Sequence, residues 1–301
     1  MKYRTLGSTG LKVSVIGLGT HQFSGEWARQ FSAAEVGQIL DRANQLGINL
    51  IDTAECYGDH SVEKLIGQSI RNNRDQWIVG TKFGHRYGES AQKVDAWSAA
   101  DVLHQLDQSL EALGTDHIDL YQFHSGTNEV FNNEELWEML GDQVRAGKVR
   151  HLGISLAAEL MKQNDLQQLH SALRVKAGFV QVLYNRLFPE AEVEVIPFCQ
   201  KNQLGVLARV PLAKGFLSGV YQPGTTFVSE DIRSHYNQSF NDEQLKLVDR
   251  IKKQEVPPGQ NMAQWALAWC LKNMAVSGVL VGCKSVTQLE LNAAAADLAI
   301  A

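Results

Sequence analysis

The chain reads as an α/β protein, a single (β/α)8 TIM barrel preceded by an N-terminal β-hairpin. Three observations predict this. Eight short apolar runs follow one another along 301 residues, amphipathic stretches with helical spacing lie between them, and no G-x-G-x-x-G follows any run. Short apolar runs suit strands buried on both faces. Strands alternating with helices imply a parallel sheet, and eight such units close into a barrel. The competing doubly wound sheet usually carries a glycine fingerprint after a strand; here Gly17-Leu18-Gly19 runs into Thr20-His21-Gln22 instead. Barrels routinely exceed about 200 residues as one unit, so residues 1–301 are expected to form one domain.

In chain order, Lys2-Tyr3-Arg4 and Leu11-Lys12-Val13 flank Gly7-Ser8-Thr9-Gly10, a hairpin pattern whose glycines can take positive φ. The strand candidates are 15–19, 48–51, 77–80, 118–121, 152–154, 179–182, 205–208 and 278–282. Helices between them show one apolar stripe each. In 34–46 it is Val36, Ile39, Leu40, Ala43 and Leu46; in 101–113 it is Val102, Leu103, Leu106, Leu110 and Leu113. The stretch 211–241 reads as irregular, and loops of that length are usually functional. Pro257-Pro258-Gly259 marks a turn before a helix carrying Trp265 and Trp269, which at i and i+4 suit packing.

With 44% hydrophobic and 20% charged residues, the chain can bury a sizeable core. A net charge of −5 without long charge runs argues against a nucleic-acid partner. No run approaches the roughly 20 apolar residues a membrane span needs, and Met1-Lys2-Tyr3-Arg4-Thr5 lacks the apolar region of a secretory signal. Cys56, Cys199, Cys270 and Cys283 form no C-x-x-C pair, as free thiols in the cytoplasm would not. The histidines show no H-E-x-x-H or paired spacing, so no metal is expected.

Barrel enzymes carry their chemistry at the C-terminal ends of the strands. Just past three successive runs stand Asp52 and Tyr57, then Lys82, then His124. Reducing a carbonyl requires a proton for the developing alkoxide. Free tyrosine, with a pKa of about 10, is a poor donor at neutral pH, but a neighbouring ammonium favours its ionised form. Lys82 could supply that charge, Asp52 could hold Lys82, and His124 could orient the carbonyl. Singly, each residue has a plainer explanation: a capping aspartate, a solvated lysine, a packed histidine. Four at three adjacent strand ends are harder to ascribe to chance. Cys56, beside Tyr57, reads as a space-filling thiol, and His21, Phe23 and Trp27 are candidates for a substrate wall.

The sequence also resembles the aldo-keto reductases, from about Tyr3 to Asn292. Asn49-Leu50-Ile51-Asp52-Thr53-Ala54-Glu55-Cys56-Tyr57-Gly58, followed by Ser61, Glu63, Leu65 and Gly67, looks like the first family signature. Ser109-Leu110-Glu111-Ala112-Leu113 leading to Asp116-His117-Ile118-Asp119-Leu120-Tyr121-Gln122-Phe123-His124 is similar to the second, and 147–155 resembles the strand-five segment. The resemblance implies that Asp52, Tyr57, Lys82 and His124 form the catalytic tetrad. It also implies a nicotinamide cofactor lying across the barrel mouth without a Rossmann fold. Gly19 and Thr20 would lie beside the nicotinamide, and Ser155 and Gln181 would bond its carboxamide. Pro211, Leu212 and Ser218 would cover the pyrophosphate, while Gly282, Lys284, Ser285, Gln288 and Asn292 would meet the adenosine end. Lys284 could neutralise a 2′-phosphate, which favours NADP(H) over NAD(H).

Three departures qualify the match. Leu156 stands where the family usually has asparagine. Arg209 stands where an aromatic often stacks on the nicotinamide, although a planar guanidinium can stack as well. The chain also ends soon after its last helix, as in the bacterial or potassium-channel-β-like branch. The expected activity is NADPH-dependent reduction of a small-molecule carbonyl substrate. Its rivals are a Schiff-base aldolase using Lys82 and a non-catalytic NADPH sensor. The physiological substrate and the oligomeric state are not legible in the sequence.

Overall fold

The structure is a computed structural model describing residues 1–87 and 93–300. The chain opens with β1 (Tyr3–Thr5) and β2 (Lys12–Ser14), an antiparallel hairpin with Arg4 opposite Val13. There follow β3 (Ile16–Gly19), α1 (Ala33–Gln45), β4 (Leu50–Asp52), α2 (Ser61–Ile70) and β5 (Ile78–Phe83). A second hairpin, β6 (His85–Tyr87) and β7 (Lys93–Asp95), precedes α3 (Ala99–Leu113) and β8 (Ile118–His124). Next come α4 (Asn128–Phe131), α5 (Glu134–Arg145), β9 (Val149–Ser155), α6 (Ala158–Lys162), α7 (Gln167–His170) and β10 (Ala177–Leu183). The chain continues through α8 (Val195–Lys201), β11 (Gly205–Arg209), α9 (Gln238–Gln254), α10 (Met262–Lys272), β12 (Val276–Val281) and α11 (Val286–Ala294).

Strands β3, β4, β5, β8, β9, β10, β11 and β12 close into a parallel barrel in that order. Every expected strand is there. The helical stripes also bury as the 3.6 period requires: Val36, Ile39, Leu40 and Ala43 on α1, and Val102, Leu106 and Leu113 on α3. Ser32 begins α1 with a capping box to Glu35, satisfying two backbone donors at that end. The 211–241 stretch is mostly irregular, with short 3-10 turns at Ala213–Ser218 and Ile232–His235. The β6–β7 hairpin was not expected, because His85-Arg86-Tyr87 and Lys93-Val94-Asp95 lack the apolar alternation that marks a buried strand.

Inside the barrel, residues two apart along each strand point to the same side, and side chains stack in layers. Leu50, Leu120, Phe179, Leu207 and Leu280 form the floor, packed with Leu6 and Val13 of the N-terminal hairpin. That hairpin therefore plugs the bottom of the barrel. Each fully buried leucine contributes roughly 2 kcal/mol through lost apolar exposure. Three strands, β3, β5 and β9, present glycine at this level (Gly17, Gly80 and Gly153), where neighbours crowd the space. A Cβ on Gly17 would lie 2.9 Å from Leu50, and one on Gly153 would lie 2.2 Å from the Phe179 ring.

Candidate active site

Two residues beyond the floor, the same strands turn different chemistry inward. The residues in phase with the floor are Gly19, Asp52, Lys82, Gln122, Ser155, Gln181, Arg209 and Gly282, one from each barrel strand or its end. His124 lies one step further up β8, paired in register with Ser155. Apolar floor and polar mouth are thus one alternation read at two heights.

The polar layer is tightly bonded. Lys82 Nζ donates to Asp52 Oδ2 (2.8 Å), to the Thr53 carbonyl (2.6 Å) and, more loosely, to Tyr57 Oη (3.5 Å). Gln122 and Gln181 both donate to Asp52 Oδ1, at 3.0 and 2.8 Å, and Gln181 also donates to Gln122. The Asp52 carboxylate is therefore fully partnered although buried, which is what a buried charge requires. Gln122 is a member of this network that sequence reasoning missed. Its inward phase with Leu120 and His124 was the available signal.

Tyr57 sits on the turn after β4, its backbone N–H bonded to the Ala54 carbonyl, and its ring lies 4.7 Å from that of His21 and 6.4 Å from that of His124. Burial pulls the Lys82 ammonium down, but Asp52 and Tyr57 outweigh it and hold the pKa above its ordinary value. Burial pushes the Tyr57 phenol up to about 12, against the downward pull of Lys82. The expected direction of the Lys82 effect is present, and burial exceeds it. Burial, assisted by Lys82, holds the His124 imidazole well below its usual range, so it is neutral at physiological pH.

Of the other expected residues, Thr20 is fully buried and donates from its hydroxyl to the Asp52 carbonyl (3.0 Å), which ties β3 to β4. Arg209 donates from Nη2 to the Leu156 carbonyl (3.1 Å), while its buried Nε has no partner. The next residue, Val210, has φ 57°. That is a left-handed value a β-branched side chain rarely takes, so the strand leaves the barrel under local strain. Pro211, Leu212 and Ser218 lie in the loop that follows, where Ser218 Oγ donates to the Gly215 carbonyl (2.6 Å). Ser285 caps α11 by accepting from Gln288 N (3.2 Å), Gln288 Oε1 accepts from Lys284 N (2.8 Å), and Asn292 Nδ2 donates to the Gly282 carbonyl (3.3 Å). Lys284 Nζ donates to the Trp27 carbonyl (2.9 Å), and Arg29 to the Lys284 carbonyl.

Trp27 also forms a β-bridge with Asp231, and Ile232 N donates to the Glu26 carbonyl (3.0 Å). The loop after the first barrel strand is thereby joined to the loop after the seventh. Of the three residues proposed as a substrate wall, His21 faces Tyr57, whereas Phe23 is buried in the core against Phe31, so its wall role is withdrawn. The β6–β7 hairpin adds to the mouth from a side the sequence did not suggest: His85 Nε2 contacts the His124 carbonyl (3.0 Å), and Tyr87 Oη donates to the Cys56 carbonyl (3.4 Å). Trp265 is buried in α10, and Trp269 packs on Tyr184, as helix packing requires.

Glu55 is buried, with Oε1 accepting from His85 N (3.0 Å) and Oε2 unpartnered. Burial, assisted by Glu63, pushes its pKa up to about 8. One donor atom each from Glu55, Cys56 and His124 lies within 4.8 Å of the others, a grouping no linear spacing could reveal. The positive charge of Lys93 acts on the Cys56 thiol, which opposes a cation there. Among the described residues, no helix is long and apolar enough to cross a membrane.

A barrel with this mouth has many relatives. The family model described as "Aldo/keto reductase family" matches residues 15–301. The chain belongs to that family. It is 32% identical over 302 residues to the uncharacterized oxidoreductase YqkF of Bacillus subtilis, covering 99% of this chain and 92% of that protein. It is 31% identical to the L-glyceraldehyde 3-phosphate reductase of Escherichia coli K12, covering 97% and 86%. The aldo-keto reductase AKR11C1 from Bacillus halodurans, solved in a holo form, superposes with a TM-score of 0.82 at 27% identity, covering 100% of this chain and 92% of that one. A probable voltage-gated potassium channel β subunit from Arabidopsis thaliana is 28% identical over 99% of this chain and 92% of its own length. By family, the protein is an aldo-keto oxidoreductase with the (β/α)8 fold expected from its sequence.

Proposed function

We propose that this aldo-keto reductase converts aldehydes, and ketones as a second class, to alcohols with NADPH, using Tyr57 as the general acid. The observation that carries the reading is the Lys82 ammonium, buried between Asp52 and the Tyr57 hydroxyl. A tyrosine with a fixed cation at its oxygen can surrender a proton to a developing alkoxide, because the tyrosinate left behind is paired. Asp52, held by Gln122 and Gln181, keeps Lys82 in place. Neutral His124 can donate a hydrogen bond to the carbonyl oxygen without competing as a strong acid.

The mouth suits a nicotinamide dinucleotide. Arg209 leaves a buried Nε unsatisfied, and a planar guanidinium there can stack on a flat ring. Ser155 and Gln181 are paired in register in the inward layer, and the Gln181 amide spends its Nε2 on Asp52 and Gln122, which supports its carbonyl oxygen and the Ser155 hydroxyl as partners for a carboxamide. Gly215 and Gly219, with φ 93° and 77°, let the Pro211–Leu212–Ser218 loop turn back over the mouth. Lys284, with Arg29 and Arg233 nearby, brings positive charge to the start of α11, which suits a 2′-phosphate. Bound there, the cofactor supplies the hydride. The E. coli relative named as a glyceraldehyde 3-phosphate reductase supports aldehydes as the substrate class. Four unpaired thiols support a cytoplasmic site of action.

The test is NADPH oxidation with para-nitrobenzaldehyde, comparing wild type with Tyr57→Phe. Wild-type turnover with a loss of about 10²- to 10⁴-fold in kcat for the variant is expected, at unchanged NADPH affinity. Tight NADPH binding without turnover of any carbonyl would instead favour a non-catalytic role such as a sensor, and a relative named as a probable channel β subunit keeps that class in view. Borohydride trapping of a substrate on Lys82 would favour the aldolase.

A further inference from the structure

We infer that Cys56 is a positioning residue of this site: its thiol donates to Nδ1 of His124 and holds the imidazole as the tautomer that carries its proton on Nε2. The turn after β4 that presents Tyr57 also presents Cys56, buried, with its sulfur 3.7 Å from His124 Nδ1. Both ends of that contact are fixed from outside it. The Cys56 carbonyl accepts from Tyr87 Oη (3.4 Å), and the His124 carbonyl contacts His85 Nε2 (3.0 Å), so the β6–β7 hairpin pins the backbone of each partner.

The direction of the bond follows from the two atoms that make it. A thiol sulfur is a weak acceptor, whereas a bare imidazole nitrogen is a good one, so the proton of the pair sits on sulfur and points at nitrogen. Nδ1 of His124 is the acceptor within reach. Burial keeps the thiol protonated, pushing its pKa up to about 12 with Glu55 assisting, and keeps the imidazole neutral. A donor and a neutral acceptor therefore meet. An imidazole that accepts at Nδ1 carries its proton on Nε2, which fixes the nitrogen available as a donor. Glu55, Cys56 and His124 could be read as a metal centre, since 3.7 Å is near the sulfur–nitrogen edge of a tetrahedral zinc site, but the positive charge of Lys93 already acts on the thiol and opposes a cation.

The inference rests on the reductase reading only for what Nε2–H then does, namely orient a carbonyl. The tautomer itself can be observed without turnover. The charged and titratable groups facing His124 are Lys82 from β5, His85 from β6, Lys93 from β7 and Arg209 from β11, with Glu55, Cys56 and Tyr57 on the turn. Replacing only Cys56 leaves the others in place.

The experiment is long-range proton–nitrogen NMR on ¹⁵N-histidine-labelled protein: wild type, Cys56→Ala and Cys56→Ser, each first checked for folding by near-UV circular dichroism. In wild type, His124 is expected as the neutral Nε2–H tautomer with Nδ1 accepting. In Cys56→Ala, the tautomers should mix and the imidazole should titrate roughly half a pH unit higher, because a hydrogen bond that favours its neutral form is gone. Aldehyde turnover should fall about three- to tenfold in kcat at unchanged NADPH affinity. Cys56→Ser, which keeps a donor on the same carbon, should restore the tautomer. A Cys56→Ala protein whose His124 keeps both tautomer and titration would overturn the assignment. So would tight, stoichiometric Zn²⁺ binding that Cys56→Ala abolishes, because a metal would need both atoms bare. A wild-type Nε2–H tautomer in a protein that reduces no carbonyl would support the Cys56–His124 pair and remove the reductase reading alone.

Discussion

Replacing Lys82 by Met tests the electrostatic core of the proposed mechanism. The ammonium lies 3.5 Å from Tyr57 Oη. At an effective dielectric of about 20, unit charges at that separation interact by about 5 kcal/mol, equivalent to about three pKa units. Water reaching the mouth reduces this toward about one unit. Lys82→Met should therefore raise the Tyr57 pKa from an already high value by one to three units, on the order of the range above. With the phenol a weaker acid, kcat should fall by about 10²- to 10⁴-fold.

Folding must be separated from chemistry, because the substitution leaves Asp52 buried with only the amides of Gln122 and Gln181. An uncompensated buried charge costs about 3–5 kcal/mol. The double variant Lys82→Met with Asp52→Asn removes both charges and should recover much of that stability without recovering rate. The assay is NADPH oxidation with para-nitrobenzaldehyde in single turnover, alongside urea unfolding of each variant. A folded Lys82→Met protein reducing the aldehyde within about threefold of wild type would refute the coupling between Lys82 and Tyr57.

Other perturbations probe the surroundings of the site. Glu55, whose ordinary pKa is 4.5, is raised to about 8 in the fold, so the folded chain holds a proton that the unfolded chain releases between those values. Its contribution is present in full below the lower value and lost as pH rises through the upper one. Glu55→Gln should therefore gain stability relative to wild type across that window, by up to a few kcal/mol, read as Tm against pH; a difference that stays constant with pH would contradict the burial argument. Val210→Gly should relieve the left-handed strain at φ 57° and raise stability by about 1 kcal/mol, measured by urea midpoint; an unchanged or lower midpoint would contradict the strain. Lys284→Met should weaken NADPH about tenfold or more while leaving NADH nearly unchanged, by fluorescence titration, if the residue faces a 2′-phosphate; equal losses for both cofactors would reassign it to holding the Trp27 loop.

Much of this protein is decided locally. The eight apolar runs, the helical stripes on α1 and α3, and the glycine turn of the N-terminal hairpin all follow from periodicity, which short-range sterics and burial impose on any sequence. Asp52, Lys82 and His124 were legible because strands carry their inward residues in steps of two, so a reactive residue in phase with Leu50 or Leu120 must emerge at the mouth. The same rule, applied to Leu120 and Phe179, would have placed Gln122 and Gln181 around Asp52. Other features depend on residues far apart in the chain. The contact of Cys56 with His124, the unpaired carboxyl of Glu55, the Trp27–Asp231 bridge and the β6–β7 hairpin come from loops without periodicity. The net pKa of Tyr57 belongs with them, because sequence names its cationic neighbour, whereas the depth of burial that outweighs that neighbour exists only once the barrel has closed.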